Sequence, residues 1–265
     1  MMVVFRAVLA LLALSWCAIA FGHDTYLLPE RDWHGGTTMF VVLTSAETFP
    51  KLEFGPKRAR VADTVVRGPD TNASLRVARE GAKALKLRLK TGRPGAYAVG
   101  LALGPRDIDL TPDKVALYLS EIDAPRAIRD AYAAQPEPRQ WRETYEKFAK
   151  IFVCHKTCGR NEALSEPSGL AAEFVALKET LETERVSFRL LSAGAPVADQ
   201  AVAVVNRKGR RVMVRTQPNG AFALPAGLAG PVLLSAVLLK APANTNARYT
   251  SVFVSLTFDS RVLGR

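Results

Sequence analysis

The stretch Ala84-Leu85-Lys86-Leu87-Arg88-Leu89-Lys90 constrains the fold more than any other. Its leucines recur every second residue, with Lys86, Arg88 and Lys90 between them. A period of two puts one set on each face of a strand, so this strand is half-buried. One apolar face per strand demands a second layer, and a sandwich supplies it. Thr91-Gly92-Arg93-Pro94-Gly95 reads as a turn. Tyr97, Val99 and Leu101 then begin a return strand. With the β-rich run Thr38-Met39-Phe40-Val41-Val42-Leu43, residues 37–104 form a region of strands.

The period changes after residue 110. Thr111-Pro112 has the form of an N-cap followed by proline at the first helical position. Val115, Tyr118, Leu119 and Ile122 follow at helical spacing. After Pro138, the residues Trp141, Tyr145, Phe148 and Phe152 also share a helical stripe, with Glu143–Lys147 and Glu146–Lys150 spaced to pair. Two or three helices are therefore predicted across 111–153. From 170 onward strands return: Val186, Phe188 and Leu190 alternate, and Val252, Val254, Leu256 and Phe258 share one face. Turn signals between them recur with the rhythm of an all-β sandwich. The predicted fold is mainly β, with two Ig-like or fibronectin-like sandwich domains at 23–106 and 166–265. A helical segment with a cysteine loop, 107–165, lies between them.

The N-terminus reads as a signal peptide over residues 1–22. Arg6 is the only charge before Asp24, and residues 7–21 are mostly apolar. Small residues allow cleavage after Ala20 or after Gly22. Cys17 follows Trp16, where a lipoprotein signal wants a small residue. The expected product is periplasmic, with no stable membrane anchor.

The chain carries a formal charge of +11. Its Lys and Arg residues are spread along the sequence without aromatic interleaving. Together with export, that excludes nucleic acid as a partner and leaves a basic soluble surface.

Only three histidines occur: His23, His34 and His155. Cleavage after Gly22 would give His23 both an α-amine and an imidazole, a chelate suited to nickel, cobalt, copper or zinc. Asp24 can add an oxygen ligand. His155 lies in Cys154-His155-Lys156-Thr157-Cys158. Either Cys154 and Cys158 form a disulfide, as an oxidising compartment favours, or the two thiolates and His155 bind a soft metal. The i, i+4 spacing suits a bridge only if the preceding helix ends there. His34, in Trp33-His34-Gly35-Gly36, reads as an exposed turn residue. There is no G-x-S-x-G elbow, H-E-x-x-H pair or phosphate loop, so no enzyme is predicted.

His23-Asp24-Thr25-Tyr26-Leu27-Leu28-Pro29 resembles the "H-D-x-W-L-x-P" start of a bacterial periplasmic family of unknown function. That family is often labelled as nickel-uptake transporter accessory proteins. The resemblance runs through Pro94-Gly95-Ala96-Tyr97, Gly194-Ala195-Pro196-Val197 and Thr216-Gln217-Pro218-Asn219-Gly220, and closes at Ser255-Leu256-Thr257-Phe258. It implies β-sandwich domains, a nickel or cobalt ion (copper as a further option) held by the N-terminal histidine, and an inner-membrane metal transporter as partner. Leu238 stands where relatives often carry a histidine, which removes one ligand. The competing reading is an envelope-binding or scaffolding module that uses no metal. A copper-brace oxidative enzyme would need a second histidine from His34 or His155.

Overall fold

The computed structural model describes residues 23–158, 162–178, 186–244 and 247–263. The predicted leader lies outside them. The fold is mainly β, with sheets stacked as in a sandwich. Its strands are β1 (Asp24–Pro29), β2 (His34–Gly35), β3 (Thr38–Ala46), β4 (Val61–Arg67), β5 (Ser74–Glu80), β6 (Leu85–Lys90), β7 (Gly95–Leu110) and β8 (Trp141–His155). These are followed by β9 (Ala172–Ala176), β10 (Ser187–Ser192), β11 (Ala195–Pro196), β12 (Ala201–Asn206), β13 (Arg211–Arg215), β14 (Ala221–Ala223), β15 (Pro231–Lys240) and β16 (Tyr249–Asp259). Helices α1 (Pro112–Glu121) and α2 (Arg126–Ala133) separate β7 from β8.

The first sheet has the order β1-β3-β6-β5. A larger central sheet runs β13-β12-β15-β16-β8-β7-β4, with β2 beside the end of β8. A third, small sheet gathers β9, β11 and β14 around β10. The first and third sheets cover opposite faces of the central one. On one face, the Ser255 and Thr257 hydroxyls donate to the carbonyls of Thr25 and Leu27 in β1, both at 2.6 Å. On the other, Phe258 packs against Phe188 with ring centroids 5.0 Å apart, and Lys150 reaches Glu173.

The alternating β6 behaves as its sequence dictates. Leu85, Leu87 and Leu89 are fully buried, while Arg88 and Lys90 are exposed. The turn after it does something other than predicted. β7 does not double back onto β6; it pairs with β8 and β4, so the chain passes from the first sheet to the central one.

The main correction falls on residues 141–155. They are one long strand rather than a helix, antiparallel to β7 and parallel to β16. The cause is burial on both faces. Phe148, Phe152 and Cys154 face the third-sheet side, while Ala149, Ile151 and Val153 face the other way, and all six are buried. A strand covered on both sides loses its polar face and with it the period of two. The aromatics then happen to fall at helical spacing. Of the expected helical ion pairs, Lys150 pairs with Glu173 on β9 instead of Glu146.

Helix α1 forms where the capping signal puts it, with Thr111 as N-cap and Asp113 in its first turn. Val115, Tyr118 and Leu119 bury its apolar stripe against Trp141, Tyr249 and Phe253 of the central sheet. Trp141 and Tyr249 stack with centroids 3.7 Å apart. A single apolar cluster otherwise runs from Tyr26 to Leu263, and the central sheet draws strands from both sides of residues 107–165.

Candidate functional site

Helix α1 and the first sheet lie on the same face of the central sheet, and a seam remains between them. His23 sits in this seam. Antiparallel pairing of β1 with β3 sets Asp24 opposite Ala46, which brings Glu47 beside His23. A bridge between Ser45 and Phe54 folds the following loop back, adding Glu53 and Phe54. The His23 side chain is only 8% exposed. Its Nε2 stands 3.8 Å from Glu47 Oε1 and 3.8 Å from Glu53 Oε2, and its ring meets Phe54 edge-on at 5.2 Å. Glu53 also accepts the Glu47 backbone N–H at 2.9 Å, which ties the two acids together. Asp24 is turned toward β13, where its carboxylate accepts from Arg211 at 3.0 Å.

On one side of His23 the seam opens into a cleft of about 360 Å³. Phe54, Leu103, Ile108, Tyr118, Tyr145 and Phe253 make its apolar walls, and Lys57, Arg60, Arg106 and Lys147 bring positive charge. On the other side a cavity of about 350 Å³ is lined by Asp24, Glu47, Glu121 and Arg211. Tyr118 and Phe253 border both. Glu143, 2% exposed, lies at the wall of the first. Tyr118 donates to it at 3.1 Å and Trp141 Nε1 at 2.7 Å, and the Ser251 hydroxyl donates as well. Burial raises the Glu143 carboxyl pKa, and these three donors oppose the rise.

The cysteines form a separate corner at the far end of β8. Cys154 and Cys158 are joined in a disulfide, with their Cα atoms 4.9 Å apart. Here it is a strand that ends rather than a helix. Lys156 takes a positive φ of 60°, and the chain turns back to set Cys158 over Cys154. The histidine beside the sulfurs is His34, not His155. β2 pairs His34 with Cys154, and His34 Nε2 stands 3.0 Å from Cys158 Sγ. The ligand atoms of His34, Cys154 and Cys158 all lie within 4.8 Å of one another. His155 points the other way because neighbours on a strand face opposite sides. It is 1% exposed, with Nδ1 3.1 Å from the Thr91 hydroxyl and no partner for Nε2 among the described residues.

The sequence thus singles out His23, Asp24, His155, Cys154 and Cys158. The fold separates them into two corners and adds Glu47 and Glu53 to one and His34 to the other. None of the three additions flanks its partner in sequence, so strand pairing alone reveals them. Leu238, in β15, packs against the core.

No helix among the described residues is long and apolar enough to cross a membrane. A comparison with the curated proteins finds no match. The profile of a domain of unknown function, DUF4198, matches residues 20–240, which takes in both corners and all of the seam but Phe253, and the chain belongs to that family.

Proposed function

We propose that this chain is an exported, non-enzymatic accessory protein that binds a divalent transition-metal ion, of the nickel or cobalt type, through His23, Glu47 and Glu53. The observation that carries this reading is the pair of 3.8 Å separations from His23 Nε2 to the two carboxylates. Two ligand atoms each about 2 Å from a shared ion lie about 3 Å apart in tetrahedral or cis geometry and at most about 4 Å, so these three groups need draw in by only about half an ångström to share one. Imidazole with carboxylate suits nickel, cobalt or zinc, and copper is the further candidate. Cleavage after Gly22 would add the His23 α-amine and close a chelate ring. Asp24, engaged by Arg211, is better placed to hold the strand end than to coordinate. The Cys154–Cys158 disulfide accords with a periplasmic setting, where delivery to an inner-membrane transporter is the natural role.

Calorimetric titration of the processed chain with Ni(II), Co(II) and Cu(II) tests the proposal. We expect one ion per chain, with affinity falling at least about tenfold in His23→Ala and in a Glu47→Gln/Glu53→Gln double variant. Heat-free titrations, or variants that bind as the parent does, would remove it.

A second reading rests on the His34, Cys154 and Cys158 cluster. With the disulfide closed neither sulfur is a thiolate, so this corner can take a soft ion only after reduction. Zn(II) binding that appears with reductant and vanishes in His34→Ala would support it. Binding that ignores the redox state would place the ion elsewhere.

A further inference from the structure

We propose that the cleft between the first sheet and helix α1 binds an organic monoanion with an apolar body, such as a fatty or aryl acid, its carboxylate seated on the Lys147 ammonium.

Lys147 projects from β8 into the seam and is half-buried there. Its Nζ donates to the Thr25 hydroxyl at 2.9 Å. It lies 4.9 Å from the centre of the Phe253 ring and 5.4 Å from that of Tyr145. No carboxylate of the described residues comes within 4.0 Å of it. Glu143, the carboxylate in the same cleft, is already engaged by Tyr118, Trp141 and Ser251. An ammonium drawn partly out of water normally finds a counter-charge, because desolvation without one is costly. Here the fold supplies aromatic faces and one hydroxyl, and leaves the anion's place to a ligand.

The surroundings select the ligand class. The cleft's volume of about 360 Å³ falls within the range of small-molecule sites. Its walls are mostly apolar, so a fully polar anion such as inorganic phosphate would forgo the larger part of the contact. Arg60 lies over the Tyr145 ring at 5.4 Å, and Arg106 adds a further charge to the lining. These cations attract an acid toward the cleft and disfavour a cationic amphiphile. The inference does not require metal at His23, although His23 borders the same cleft, so the test is run with metal withheld.

Isothermal titration with decanoate, in the presence of a chelator, tests this apart from any metal binding. Decanol and decyltrimethylammonium serve as neutral and cationic controls. We expect decanoate to bind with a Kd below about 1 mM and the controls to bind at least about tenfold more weakly. Lys147→Met should lower decanoate affinity at least about tenfold while leaving decanol unchanged. A second measurement needs no variant: decanoate should slow reductive methylation of Lys147 in the parent chain, read by peptide mass spectrometry. Decanol binding as well as decanoate, or undiminished methylation of Lys147 under saturating decanoate, would overturn the proposal.

Discussion

Lys147 and Lys150 leave the same strand, three residues apart, toward opposite layers, and their surroundings divide them. Lys150 is 1% exposed and meets Glu173, also 1% exposed, at 2.5 Å. Glu173 in turn accepts from the Ser168 N–H and hydroxyl and the Gly169 N–H. Burial pushes the Lys150 ammonium pKa down and Glu173 holds it up, although the net shift is still downward. For Glu173, burial acts upward, but Lys150 and Ser168 outweigh it and the carboxyl ends below its usual range. Lys147 has a hydroxyl and two rings in place of an acid. Burial lowers it to about 8, against the pull of Asp24 and Glu143 and with the help of Arg60 and Arg106. A closed pair locks two layers together. An ammonium without a paired acid, beside a cleft, can serve a ligand.

The largest effect should come from breaking the closed pair. Lys150→Met leaves the Glu173 carboxylate buried without its cation, and about 3–5 kcal/mol of stability should be lost in urea unfolding. A Lys150→Met/Glu173→Leu double variant should recover most of it, because two apolar groups leave no orphaned charge. A harmless single variant would mean that Glu173 takes up a proton at little cost and that the pair holds nothing together.

Opening the disulfide at the end of the same strand should cost less. The bridge spans four residues of sequence, so the chain-entropy argument allows about 2 kcal/mol for Cys154→Ser/Cys158→Ser. Thermal unfolding with and without the bridge measures this. A loss as large as that of Lys150→Met would show that the corner also organises β2 and the neighbouring core.

Lys147→Met should be nearly silent for stability, within about 1 kcal/mol of the parent, since it removes a half-buried cation with no buried acid to orphan. A loss comparable to that of Lys150→Met would erase the contrast between the two lysines.

The smallest expected effect, once solvent screening at this half-buried site is allowed for, is its pH dependence. Because the folded chain releases the Lys147 proton near 8 and the unfolded chain keeps it to about 10.5, the unfolded state binds more protons between these values. Parent stability relative to Lys147→Met should therefore rise with pH across that window, while decanoate affinity falls. Denaturant midpoints of both chains at pH 7.5 and pH 9.5 would show it; an unchanged difference would mean that Lys147 titrates as an ordinary surface lysine.

The same strand shows what was legible in the sequence. β6 could be read because one of its faces meets solvent and keeps its charges. β8 could not, because layers cover both faces and its pattern is filled with apolar side chains. Helix α1 was legible from Thr111-Pro112 and its apolar spacing. α2 packs on the same aromatic cluster through Ile128 and Tyr132. At the site, scarcity singles out His23, and export to an oxidising compartment favours a Cys154–Cys158 bridge. Glu47 and Glu53 carry no local sign of a role, because surface carboxylates are common and these gain meaning only beside His23. His34 has the sequence of an exposed turn residue, and only the pairing of β2 with β8 sets it beside the sulfurs.

Local rules therefore determined the β class, the first helix, the candidate histidine and the cysteine pair, since alternation, capping and composition act over a few residues. Tertiary structure alone decided the rest. It covered both faces of β8, sent Lys147 toward a cleft and Lys150 toward an acid, and turned His155 away from the cysteines in favour of His34. It also gathered Glu47 and Glu53 around His23. Each of these depends on which strand lies beside or above which, and that is settled by burying apolar surface across the whole chain rather than by any one segment.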